Sequence, residues 1–93
     1  MYVFSASAVA TKALDGIEPG QKAPFIVYIN FLDLFGAETL CKILIMREGF
    51  KEVEIEKRQL LTPEKCKDPK ILNADKGLRE ALKTGFAIQL FSE

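Results

Sequence analysis

Three glutamates at alternate positions, Glu52, Glu54 and Glu56, form the densest run of carboxylates in the chain. On a strand this spacing places them on one face, about 7 Å apart. Carboxylates so placed can serve a divalent cation or act as an acid–base pair. However, Lys51, Lys57 and Arg58 bracket them, and metal ligands usually converge from several elements. The expectation is a solvated, charge-balanced strand face, with no metal site.

The two thiols read differently. Cys41 falls on an apolar helical stripe, where cysteine behaves as a small hydrophobe. Cys66 lies between Lys65 and Lys67, and neighbouring positive charge favours thiolate. A nucleophilic or redox role still needs a base or a resolving group. The chain has no His, which removes the commonest general base and metal ligand. Gly16 and Gly20 match neither GxGxxG nor a P-loop, and no GxSxG turn occurs. No catalytic residue, cofactor or metal is assigned, and the chain is expected not to be an enzyme.

Lys65, Lys67 and Lys70, with Lys57 and Arg58, are the only cationic concentration, and Glu64 and Asp68 interrupt it. A sheet bearing Tyr2, Phe4, Tyr28 and Phe91 has aromatics on which RNA bases stack. The Gly–aromatic–basic signature of RNA-binding sheets is missing. Thirteen basic against thirteen acidic residues give no basic field for a phosphate backbone. Nucleic acid is not an expected partner, and no apolar run reaches the ~20 residues of a membrane span.

The elements that would position these residues follow from periodicity. Residues 2–9 alternate as a strand. Residues 10–22, with Asp15-Gly16 and Pro19-Gly20, read as a loop of about a dozen residues. Residues 23–32, APFIVYINFL, are apolar on both faces, as in a strand near the middle of a sheet. Asp33 caps a helix over 34–48. Its stripe is Ala37, Leu40, Cys41, Leu44 and Ile45, widened by Ile43 and Met46. A stripe so wide implies contact with more than the sheet alone. Residues 52–60 form a strand with Val53 and Ile55 inward, and its charged face suggests an edge strand or a solvated sheet face. Residues 61–72 are irregular apart from one helical turn at Thr62–Lys65. A second helix runs from Asn73 or Asp75 to Thr84, with Gly77 counting against it, and a last strand covers 86–91.

Ninety-three residues with 48% apolar content make one α+β domain. The order β-β-α-β-α-β suggests a four-stranded mixed sheet with two helices on one face, similar in topology alone to ferredoxin-like domains. Two helices on one face leave the other uncovered. Ile26, Tyr28, Leu32 and Phe91 are therefore expected to form a homodimer interface. Asp15, Glu18, Lys65 and Lys67 on the two long connections are candidates for contact with another protein. The chain reads as a small cytoplasmic interaction protein of bacterial or phage inhibitor or immunity type. The alternative is a small-molecule sensor, with the Asp15–Gly20 turn beside Asn30 and Asp33.

Overall fold

Residues 1–13 and 16–90 are described in the computed structural model of the chain. The doubly apolar run forms β2 (Lys22–Ile29), a central strand. Phe25, Val27 and Ile29 enter one core, while Tyr28 and Ile26 enter another on the opposite face. β1 (Tyr2–Ala10) pairs with β2 on one side and with β3 (Phe50–Leu60) on the other. β4 (Phe86–Leu90) closes the far edge, giving the order β3-β1-β2-β4.

The α+β class and the four-stranded sheet are as expected from sequence, but two details differ. Every ladder is antiparallel, so the sheet is not mixed. β2 and β3 run parallel, yet β1 lies between them, so the helix joining them links non-adjacent strands. The helices also lie on both faces. α1 (Leu34–Arg47) packs Ala37, Cys41 and Ile45 against Phe4, Ala6, Ala8, Phe25, Val27 and Phe50. On the opposite face, α2 (Pro63–Lys67), α3 (Pro69–Ala74) and α4 (Lys76–Thr84) bring Cys66, Leu78 and Ala81 onto Tyr28 and Ala87.

The segment expected to be irregular apart from one turn thus holds two helices, and α2 falls on the turn expected at Thr62–Lys65. Thr62, Asp68 and Asp75 each accept a backbone N–H bond as N-cap. Pro63 and Pro69 occupy first-turn positions, where the missing donor costs nothing. At the other end of α4, Gly85 adopts φ 98 and closes the helix, after which β4 begins at once.

β2 stops at Ile29, three residues earlier than the periodicity implies. The Asn30 N–H donates to the Gly85 carbonyl, and Asp33 caps α1 through the Gly36 N–H at 2.8 Å. Phe31 and Leu32 therefore leave the sheet. Their apolar character supports no strand there, and Leu32 is 98% exposed. The long first connection is tied down near its end, where Gly20 N–H donates to the Ala10 carbonyl and Ala10 N–H to Gln21. Ile17 is buried beneath it.

Candidate functional site

The Glu52–Glu56 run is not a carboxylate platform. The β1–β3 register shifts twice, between Ser5 and Ala6 and between Ser7 and Val9, with β3 carrying the extra residue each time. Glu52 adopts φ 52, a left-handed conformation typical of a bulge residue. The two shifts interrupt the ladder on either side of Glu54, and Glu52, Glu54 and Glu56 stay exposed about the half-buried Val53 and Ile55. Glu54 pairs with Lys22 at 3.7 Å, while Val53 and Ile55 stay with the α1 core. Among the described residues no group of three or more His, Cys, Asp or Glu is placed to hold a metal ion.

Tyr28 is the best-anchored polar side chain. It comes from the central strand and lies 7% exposed beneath α4. Its hydroxyl donates to Asp75 Oδ2 at 2.8 Å, while Asp75 Oδ1 accepts the Leu78 N–H at 3.0 Å. One carboxylate thus caps α4 and latches it to the sheet. Burial, then the hydrogen bond and the charge of Asp75, push the Tyr28 phenol up to about 12. Gly77 permits this contact. A Cβ there would stand 2.5 Å from Tyr28 Cε1 and 2.8 Å from Gln89 Nε2.

The expected interface residues are consequently not one exposed patch. Tyr28 is buried and Ile26 is packed against the same core. Leu32 projects into solvent from the β2–α1 connection. Phe91 lies outside the described residues. The helices that follow β3 already roof the face on which a homodimer was expected. Nor are the candidate partner-binding residues gathered together. Asp15 lies outside the described residues, and Glu18 is exposed near the Ala10 end of β1. Lys65 and Lys67 sit on α2, which follows β3 at the Tyr2 end. Nine residues of strand, about 27 Å, separate those ends. The Pro19-Gly20 turn is likewise at the opposite end of β2 from Asn30 and Asp33, which removes the pocket expected between them. Phe4 and Tyr28 are buried, so neither is free to stack a base.

Both thiols are buried and free. Burial, then the charge of Glu38, holds the Cys41 thiol up near 12. Cys66 sits at the edge of a groove of about 340 Å³, lined with Met1, Leu32, Leu61, Pro63 and Leu82, with Asn30 and Lys67 as its polar groups. A second groove of about 350 Å³ lies on the other side of Asn30, among Phe31, Leu40, Leu44, Arg47 and Phe86. Sequence reasoning missed both grooves, since each depends on β2 ending at Ile29. The one available signal was the width of the α1 stripe.

The exposed large apolar side chains concentrate around α1. Phe35 is 79% exposed and Met46 50%, with Phe31, Leu40 and Ile43 close behind. The charged residues Glu38 and Lys42 occupy the flank towards β3, where Arg58 pairs with Glu38. No helix among the described residues is long and apolar enough to cross a membrane. No protein-family model, curated protein or solved structure matches the chain.

Proposed function

We propose that the chain is a non-catalytic interaction protein, of inhibitor or immunity type, that works as a homodimer and engages another protein. The observation that carries this reading is the set of large apolar side chains left open on α1 and beside it. Scattered exposed apolar residues are ordinary, but a contiguous patch marks an association surface. Zero net charge offers little repulsion between copies. Light scattering on the purified chain tests the first half. A particle of twice the 10.4 kDa chain mass is expected, and a monomer overturns the dimer. The second half is tested by affinity purification. One protein at fixed stoichiometry, held by the wild type and lost on Leu32→Ser, is the expected result.

The groove beside Cys66 favours a second reading, a site for a small apolar carboxylate. Its volume is within the ligand-pocket range, its walls are apolar, and Lys67 supplies one cation at the rim. A thermal-shift series of aliphatic and aromatic acids tests it, because a bound ligand raises the midpoint by mass action. No shift across the series removes this reading.

A further inference from the structure

Each face of a four-stranded sheet, about 15–20 Å wide, has room for two helices about 10 Å apart. Here the face bearing Phe4 and Phe25 carries only α1. That helix leans on β3, with less contact to β1 and β2 and little to β4. Phe25, Val27 and Ile29 of β2 are already buried, and the β4 margin beyond them is an open shelf. Phe86 and Leu90 are 44% and 37% exposed on it, Ile88 is half-buried, and Phe31 and Leu40 form its wall. The shelf is apolar.

α1 shows the reciprocal deficiency. At 100° per residue, Ala37, Cys41 and Ile45 point to its own sheet, Ile43 and Met46 point the opposite way with Thr39 between them, and Phe35 lies beside Lys42 on the far flank. Leu40 and Leu44 occupy the flank nearest the shelf, with Arg47 at its end. Such a helix, apolar on its inner and outer sides and along one flank, has the composition of a buried layer. We propose that α1 of a second copy fills this shelf, so that two α1 helices lie side by side between two sheets. This rests on the dimeric reading above and names its surface.

The two needs are complementary within one chain, which is why a second copy is the occupant. A two-fold axis running along the helices, midway between them, puts each α1 on the other's shelf in a single operation. Each outer side then meets the partner's β4, and the Leu40 and Leu44 flanks meet across the axis. Glu38 and Lys42 remain on the far flank, outside the contact. The area also fits. The exposed fractions of Phe31, Leu40, Ile43, Met46, Phe86 and Leu90 amount to about 500 Å², at roughly 200 Å² per fully exposed large side chain. A stable dimer buries about 800 Å² per partner, a little over half of it apolar.

The test combines mass with site-directed crosslinking of the full chain. Leu40→Cys places a thiol near the axis and should give a disulfide-linked dimer on mild oxidation. Leu32→Cys, more exposed but off this surface, should not. Ile43→Glu, on the outer side of α1 where folding does not require burial, should reduce the mass to that of a monomer with an unchanged circular dichroism spectrum. A wild-type dimer that survives Ile43→Glu and yields no Leu40→Cys crosslink overturns this surface while leaving the dimeric reading intact. A monomeric wild type overturns both, and leaves the shelf to a helix from another protein.

Discussion

Replacing Gly77 with Ala should destabilise this protein, against the usual sense of that substitution in a helix. In an exposed helix, Gly→Ala gains about 1 kcal/mol. At position 77 the new Cβ would stand 2.5 Å from Tyr28 Cε1, 3.0 Å from Cδ1 and 2.8 Å from Gln89 Nε2. The glutamine amide is the end of a flexible side chain and can move. The tyrosine ring cannot readily do so, because its backbone is in a central strand and its hydroxyl is fixed to Asp75. Overpacking of this kind costs about 1–3 kcal/mol, so the net loss should be about 1 kcal/mol. For a domain of this size that corresponds to a fall of about 4–8 °C in Tm. The assay is urea unfolding at fixed protein concentration, read as a lower midpoint at unchanged slope. The decisive control is the same substitution in a Tyr28→Val background. With the ring gone the clash goes too, and Gly77→Ala should there raise the midpoint. Stabilisation by Gly77→Ala in the wild type, or equal losses in both backgrounds, refutes the argument that Gly77 exists to admit the ring.

Tyr28→Phe removes the bond to Asp75 and should cost about 1 kcal/mol at neutral pH. The phenol titrates near 12 when folded and near 10 when unfolded. Its contribution is therefore full below pH 10 and is lost as pH rises towards 12, because the unfolded chain releases its proton first. The stability gap between wild type and Tyr28→Phe should close over that interval in urea titrations, and a constant gap would contradict the latch. Alkylation followed by mass spectrometry should label Cys66, at its groove edge, before Cys41, which needs its core opened; equal rates would count against that ordering. Leu32→Ser should change stability by less than about 0.5 kcal/mol and leave the oligomeric mass unaltered, since Leu32 is off the proposed surface.

The strand positions were readable because alternation is a local property. Phe25, Val27 and Ile29 against Ile26 and Tyr28 identify a strand buried on both sides, and the charged 52–60 segment suggests an edge or a solvated face. Which side of the sheet a helix takes is not local. The Leu78, Ala81 stripe shows that α4 buries one side, and nothing within it says which face of the sheet receives it. Pro63 was legible as a first-turn proline after a capping Thr62, whereas nothing singled out Pro69 as the start of a second short helix after Asp68. Gly77 counted against a helix for its propensity, when its reason is a tertiary contact with a residue 49 positions away. Tyr28 was expected to be covered by a second copy. Its cover is Asp75, Leu78 and Ala81 of the same chain.

Roofing the Tyr28 face does not remove the surplus of apolar residues; it moves the surplus to the other side of the sheet. A lone helix on a sheet needs one apolar side, and α1 meets that need with Ala37, Cys41 and Ile45, all small or medium in volume. Phe35, Ile43 and Met46 do nothing for such a monomer. With no net charge on the chain, they lower its solubility instead. Meanwhile the outer side of α1 carries one polar residue, Thr39, and no charge, and Arg47 stands at the end of the shelf flank. Glu38 and Lys42 sit on one flank, beside the Arg58 of an edge strand that bulges and charge already protect. The opposite flank runs straight onto the uncovered margin of the sheet at β4, a short strand without a charged residue. An arrangement that guards one edge and leaves both the outer side of α1 and the adjoining shelf apolar is what the proposed pairing, with a second sheet lying across α1, accounts for.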